Sequence, residues 1–65
     1  MQEFHWRVVT EKAELSERTD KLAAFVFSEI FSTLPEDEQA RLRRQLSVMC
    51  EYREILRQRI AAFAA

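Results

Sequence analysis

The fold is decided by one stretch, Ser32-Thr33-Leu34-Pro35-Glu36-Asp37-Glu38, the only break in an otherwise helix-forming chain of 65 residues. The chain has no glycine and a single proline, and proline disfavours helical dihedrals in the residue before it, Leu34. Proline is well tolerated at the first position of a helix, where the helix dipole also favours acidic residues. Thr33 and Glu36 have the spacing of a capping box, so the first helical residue stays open by one position. The stretch predicts that one helix ends and a second begins here.

Apolar residues recur at helical spacing on both sides of this break, which predicts helices over about 3–32 and 35–63. One face of the first helix carries Phe4, Val8, Leu15, Thr19, Leu22 and Val26. One face of the second carries Leu42, Leu46, Met49, Leu56, Ile60 and Phe63. Folding back at Leu34 pairs residues whose numbers sum to about 68, so Val26 meets Leu42 and Val8 meets Ile60. The sequence thus predicts an all-α, antiparallel two-helix hairpin forming one domain over 1–65.

The small size of the chain predicts that it needs a stabilising partner. A domain this short buries only about 60% of the surface that its unfolded chain exposes. Cys50 is the only cysteine and His5 the only histidine, so neither an internal disulfide nor a structural zinc site is expected. We expect Cys50 to pack as a small side chain. Self-association is the remaining means of stabilisation.

A second apolar surface remains outside the seam between the helices. Such a surface favours a homo-oligomeric helical bundle. We assign six residues to the oligomer interface: Phe27, Phe31, Ile30, Val48, Ile55 and Trp6. The alternative is that Phe27 and Phe31 fold over the turn and cover the end of the hairpin itself. Trp6 lies roughly opposite the seam, where it either seals a subunit contact or stacks on a ligand base.

Composition and spacing argue against enzymatic chemistry and against a membrane. The serines have no plausible histidine base, and a chain without glycine has no glycine-rich phosphate loop. We therefore expect neither an enzyme nor a bound cofactor. No apolar run approaches the roughly 18 residues of a membrane span, and the N-terminus does not resemble a secretory signal. Together with the unpaired cysteine, this predicts a cytosolic protein without a membrane partner.

The second helix carries a stripe in which basic and apolar residues alternate. Its members follow steps of three or four: Arg41, Arg44, Val48, Tyr52, Ile55 and Arg59, with Arg57 nearby. Guanidinium groups bind phosphate through paired donors, and a tyrosine ring offers a stacking surface to a base. The alternative is structural, since arginines on long helices often pair with glutamates, as Arg59 would with Glu54 or Glu11.

Helix-periodic motifs along nearly the whole chain carry a resemblance to a known family. In the first helix and the break they are Arg7-Val8-Val9, Glu11-Lys12, Glu14-Leu15, Leu22, Phe25 and Phe31-Ser32-Thr33-Leu34. In the second helix they are Glu38-Gln39, Leu42, Gln45-Leu46, Met49, Tyr52, Leu56 and Arg59-Ile60. The sequence resembles a family of very short phage-encoded proteins named from a crAss-like phage protein. Thr19 departs from that pattern, where an aliphatic residue is expected.

Such hairpins look related to the hairpin domain of phage anti-defence sponges, which act against the bacterial CBASS and Thoeris immune systems. That resemblance implies an oligomer in the host bacterial cytosol that sequesters a cyclic di- or trinucleotide, or a cyclic ADP-ribose isomer, without cleaving it. It also implies pockets between protomers where aromatic rings stack on bases and basic groups hold phosphates. The candidate ligand-binding residues are Arg7, Lys12, Tyr52 and Arg59, with Arg44 added from the stripe.

Two alternatives stay open. The segment Glu38-Gln39-Ala40 after the turn is similar to the plasmid repressor-of-primer hairpin, which dimerises and binds RNA. Under this alternative, the arginines of the stripe would bind RNA phosphates. The other alternative is a small adaptor or assembly module whose uncovered apolar face docks on another protein. Binding to RNA should weaken steeply as salt rises, which separates it from binding in a small buried pocket.

Overall fold

The computed structural model describes residues 3–63, and these form an all-helical hairpin. Helix α1 spans Glu3–Val26, a short 3₁₀ helix spans Ile30–Thr33, and helix α2 spans Glu36–Phe63. The described part is elongated, with extents of 46 × 14 × 14 Å. The predicted all-α hairpin is confirmed. Its assembly into a bundle of several copies stays a prediction.

Helix α1 is shorter than the sequence indicated, because it ends at Val26 and not near residue 32. The Ser28 hydroxyl donates to the Phe25 carbonyl at 2.6 Å, and the Ser28 amide donates to the same carbonyl at 3.0 Å. The hydroxyls of Ser32 and Thr33 likewise donate to carbonyls three residues earlier, at 2.7 and 2.6 Å. Hydroxyl groups that bond to the nearby backbone compete with α-helical geometry, and the chain tightens into a 3₁₀ turn.

Gln39 closes the turn into α2. Leu34 is extended, with φ −76° and ψ 156°, as expected of a residue that precedes proline. The Gln39 side-chain amide donates to the Leu34 carbonyl at 2.8 Å and to the Ser32 carbonyl at 3.3 Å. Its backbone amide donates to the Pro35 carbonyl at 3.0 Å, so the helical bonding of α2 begins at proline. The Thr33 hydroxyl is engaged in the preceding turn and does not form the anticipated capping box.

The core between the helices is small and follows the predicted seam. Val8, Leu15 and Leu56 are buried together. Three partly buried side chains pack against them: Met49, Ile60 and Phe63. The departure from the family pattern at Thr19 is accommodated here, since Thr19 is 1% exposed and its hydroxyl donates to the Leu15 carbonyl at 2.7 Å. Phe4 lies at the margin of the seam and is 55% exposed.

Aromatic contacts close both ends of the hairpin. At the turn, Phe31 is buried, its ring lies edge-on to Phe25 at 6.0 Å, and the Arg43 guanidinium lies 5.0 Å from its centroid. Phe31 therefore covers the end of the hairpin, and its assignment to an oligomer face is wrong because its side chain is already enclosed. At the open end, the His5 ring stacks on the Phe63 ring with 3.8 Å between centroids.

Candidate anion-binding surfaces

The first candidate surface is the α2 stripe, which we define as Arg44, Val48, Tyr52, Ile55 and Arg59. All five side chains are exposed. Steps of three and four residues place them on one side of α2 over about 22 Å. Arg41, which the sequence also placed here, is engaged by Glu38 at 2.9 Å and by Asp37 at 3.6 Å. The stripe therefore has an apolar and aromatic centre with one arginine at each end.

The two arginines of the α2 stripe are available to a ligand. Within residues 3–63, neither Arg44 nor Arg59 forms a hydrogen bond or an ion pair. The alternative that Arg59 pairs with Glu54 does not apply, because Glu54 binds Arg57. Tyr52 is 40% exposed between them, so part of its ring is accessible to a ligand. Such a surface is chemically suited to a phosphorylated aromatic ligand.

The second candidate surface is a groove between the helices near their open end. It encloses about 330 Å³ and is lined by Val9, Lys12, Ala13, Arg57 and Ile60. Arg57 is held on one wall by the Glu54 carboxylate, through bonds of 2.8 and 2.7 Å. These bonds lower the pKa of Glu54 to about 2, with smaller contributions from Gln58 and from the charge of Lys12. The groove therefore carries the charge of Lys12, while the charge of Arg57 is largely offset.

The structure separates residues that the sequence analysis had grouped into one site. Arg57 lines the inter-helix groove with Lys12, and residues two apart on a helix point about 200° apart. Arg59 therefore points away from Lys12, although both lie near the open end. The pairing rule with sums near 68 places Lys12 beside positions 56 and 57. The same rule therefore also places Arg57 beside Lys12, although Arg57 is not among the candidate ligand-binding residues.

Arg7 belongs to a third surface whose charge does not suit an anion. The Arg7 guanidinium is bound by Glu3 at 3.0 Å. A depression of about 350 Å³ on the outer side of α1 is lined by Glu3, Trp6, Arg7, Thr10, Glu11 and Glu14. Three carboxylates and one paired guanidinium disfavour phosphate here. Trp6 is 60% exposed beside it, as expected for a residue opposite the seam.

The remaining residues assigned to the oligomer interface occupy three different places. Val48 and Ile55 lie on the α2 stripe and are 55% and 49% exposed. Phe27 and Ile30 lie at the turn, at 86% and 64% exposed, and Trp6 lies on the outer side of α1. These five side chains do not share one face of the hairpin, and their assignment to an oligomer interface stays a prediction.

The remaining features of the described residues concern Cys50, metal-ligand groups and helix hydrophobicity. Cys50 is exposed, which corrects the expectation that it packs among apolar residues. It lies on α2 outside the side that faces α1. Over residues 3–63, no group of three potential ligands is arranged to hold a metal ion. No helix in the same span is long and apolar enough to cross a membrane.

Comparison with known proteins gives a match to a protein-family model. The Sequestin model matches residues 2–62, which is nearly the whole chain. The chain belongs to the Sequestin family. No curated protein and no solved structure matches it. The Sequestin name indicates sequestration as the kind of activity. Any account of that activity has to start from the hairpin and its exposed basic and aromatic side chains.

Proposed function

We propose that this Sequestin-family hairpin is a phage anti-defence protein that binds and sequesters a cyclic nucleotide-type immune messenger without cleaving it. The messenger class is a cyclic di- or trinucleotide or a cyclic ADP-ribose isomer, and the place of action is the host bacterial cytosol. Membership of the family supports sequestration as the activity. The resemblance to anti-CBASS and anti-Thoeris sponges supports the messenger class.

The observation that carries the proposal is the exposed Tyr52 ring between two arginines without ion pairs, Arg44 and Arg59. Cyclic nucleotides present phosphates and aromatic bases close together. Guanidinium groups bind the phosphates through paired donors, and a tyrosine ring stacks on a base of any identity. The α2 stripe offers both kinds of group on one surface.

The side chains near this surface support binding without cleavage. The α2 stripe contains no histidine that could act as a base for the Tyr52 hydroxyl. His5 stacks on Phe63 at the open end of the hairpin. The carboxylate of Glu54 has a pKa of about 2 because Arg57 and Gln58 donate to it, so it is a weak base at neutral pH. None of these groups is placed to activate a nucleophile against a phosphate that the arginines hold.

A thermal-shift screen tests the proposal. The purified chain is heated with each of a panel of cyclic dinucleotides, cyclic trinucleotides and cyclic ADP-ribose isomers. At 100 times the dissociation constant, a ligand of the folded state adds about 2.7 kcal/mol of stability and raises the melting temperature by several degrees. We expect at least one messenger to do so. The absence of a shift across the panel at high concentration would reject the proposal.

Variants assign the effect to the α2 stripe. Tyr52→Ala and Arg59→Ala should each remove most of the ligand-induced shift. Arg18→Ala is the matched control, because Arg18 is an exposed arginine on α1 outside the stripe. Equal losses in Arg59→Ala and Arg18→Ala would indicate a general charge effect and would argue against a built site.

A second candidate function is that of a small protein-binding adaptor, favoured by the exposed apolar tip at the turn. Phe27 and Ile30 are 86% and 64% exposed there, and both lie apart from the α2 stripe.

An RNA-binding hairpin is less well supported, because Arg41, Arg53 and Arg57 are paired with carboxylates. Affinity for RNA that falls steeply with salt would nevertheless favour it over the messenger.

A further inference from the structure

We infer that the inter-helix groove near the open end binds a small amphiphilic monocarboxylate, with the Lys12 ammonium group on its carboxylate and the apolar walls around its hydrocarbon body. The inference goes beyond the proposed function, because this ligand is not a nucleotide. The groove also lies on a different side of α2 from the α2 stripe, and it is formed within one copy of the chain.

Lys12 is the charged group of the groove that has no partner of its own. It is half-buried among the lining residues, and within residues 3–63 it forms no hydrogen bond or ion pair. The pKa of Glu54 is lowered mainly by hydrogen bonds from Arg57 and Gln58, and the charge of Lys12 adds a smaller contribution. Because Glu54 is engaged by Arg57, the Lys12 ammonium group is available to an anion that enters the groove.

The charges around the groove leave a balance of one positive charge. Lys12 and Arg57 are cationic, and the Glu54 carboxylate offsets one of them. Arg53, one turn from Arg57 on the same side of α2, is paired with Asp20 at 3.2 Å and adds no net charge. One carboxylate neutralises this balance, whereas a phosphate dianion would leave an excess negative charge close to Glu54. The groove therefore favours a monoanion.

The remaining walls of the groove are apolar. Val9, Ala13 and Ile60 line it, and Ile60 also packs against the buried core. Covering such a surface with a hydrocarbon group is favourable, because it removes apolar area from water. The volume of about 330 Å³ is at the lower end of the range for small-molecule pockets. The ligand therefore needs a compact apolar body next to its carboxylate.

Two contacts between the helices limit the groove at its ends. Towards the turn, Arg53 donates to Asp20 at 3.2 Å, and towards the open end the His5 ring stacks on Phe63 with 3.8 Å between centroids. Spacings of three, four and seven residues place these side chains on the same side of their helices as the lining residues. An extended peptide or a partner helix would have to cross both contacts, so a compact small molecule is the occupant that fits.

A matched series of probes tests whether both parts of the ligand are needed. Phenylacetate has a carboxylate and an apolar ring, phenylacetamide is its neutral counterpart, and acetate has the charge without the ring. In an NMR titration, phenylacetate should give saturable shifts at Val9, Ala13 and Ile60. Phenylacetamide and acetate should each bind about fivefold more weakly or less well still, because each lacks one of the two contacts.

Substitution of Lys12 tests the contact with the carboxylate. Lys12→Gln should weaken the binding of phenylacetate by about fivefold, and Lys12→Arg, which keeps the charge, should retain most of the affinity. Lys21→Gln is the matched control, because Lys21 is the only other lysine and pairs with Glu17 on the exposed side of α1. The control should bind as the wild type does. The dispersion of the amide spectrum shows whether each variant remains folded.

Glu54 is the residue that should set the preference for a monoanion. Phenyl phosphate carries nearly two negative charges at neutral pH, so the wild-type groove should bind it more weakly than phenylacetate. Glu54→Gln removes the offsetting carboxylate and should narrow or reverse this difference. A wild-type groove that prefers phenyl phosphate would contradict the charge balance.

Three further results would overturn the inference. They are the absence of saturable shifts at the lining residues, equal affinity for phenylacetate and either acetate or phenylacetamide, and equal losses in Lys12→Gln and Lys21→Gln. Lys12 would then serve only to cover apolar surface with its aliphatic stem. None of these results bears on the proposed function, which the messenger screen tests separately on the α2 stripe.

Discussion

The Arg57 guanidinium donates two hydrogen bonds to the Glu54 carboxylate, one turn earlier on α2, at 2.8 and 2.7 Å. This pair fixes Arg57 on the wall of the inter-helix groove. It also removes Glu54 as a partner for Arg59, which is left on the α2 stripe. One ion pair on the helix surface thus determines which arginine is available to an anion.

The first prediction concerns the pKa of Glu54. Because Arg57 stabilises the carboxylate, Glu54 should titrate at about 2, below its ordinary 4.5. A lowered pKa means that the pair stabilises the fold above about pH 4.5 and that this contribution is lost as the pH falls towards 2. Arg57→Gln should raise the midpoint of Glu54 towards its ordinary value in a carboxyl NMR titration. Arg59→Gln, a control two residues away, should leave it unchanged; an equal rise in both would refute the pairing.

The second prediction compares two phenylalanines near the turn. Phe31→Ala removes a buried ring that contacts Phe25 and Arg43, and it should lower the free energy of unfolding by about 3 kcal/mol or more. Phe27→Ala removes a ring that is 86% exposed and should change it by less than about 0.5 kcal/mol. Chemical denaturation measures both. Similar losses would mean that Phe31 does not close the end of the hairpin.

The third prediction concerns the buried hydroxyl of Thr19. Its acceptor, the Leu15 carbonyl, lies within α1 and keeps its helical amide partner when the hydroxyl is removed. Thr19→Val should therefore change the free energy of unfolding by less than about 1 kcal/mol, because no buried polar group is left unpaired. Leu15→Ala, in the same part of the core, should cost about 2–5 kcal/mol. A Thr19→Val variant as destabilised as Leu15→Ala would show that the hydroxyl matters for more than filling space.

The fourth prediction concerns the apolar centre of the α2 stripe. Ile55→Glu places a carboxylate in the exposed apolar surface that the sequence assigns to the oligomer interface, and it should shift the chain towards monomer in light scattering over a concentration series. Ala61→Glu adds the same charge at an exposed position on another side of α2 and is the control. A mass that falls equally in both variants, or in neither, would argue against the stripe as the contact.

Most of the fold was predictable because it depends on local rules. Pro35 and the acidic residues after it mark the start of α2, and the 3.6-residue period identifies the seam that buries Val8 and Leu56. The end of α1 at Val26 could not be predicted from helix-breaking residues, because neither glycine nor proline lies at that position. The hydroxyl bonds that tighten the chain begin at Ser28, a residue type that is also common inside helices.

The candidate site was predicted only in part, because side-chain pairing decides which charges are free. Arg44, Tyr52 and Arg59 share one surface, as their spacing indicated. Arg7 and Lys12 were joined to them by resemblance and by a common end of the hairpin. In the structure, Arg7 forms an ion pair with Glu3, and Lys12 lies in the inter-helix groove with Arg57. The position of a residue along the hairpin axis follows from its number. The face of the helix on which its side chain lies depends also on its angle around the helix axis.

The most direct test of sequestration is equilibrium dialysis of the chain against the messenger selected by the thermal-shift screen. The protein is then denatured by heat, and the released ligand is analysed by chromatography and mass spectrometry. We predict that the chain retains the messenger and releases it with unchanged mass. No retention above that of a Tyr52→Ala/Arg59→Ala variant, or release of a cleaved product, would contradict sequestration without cleavage.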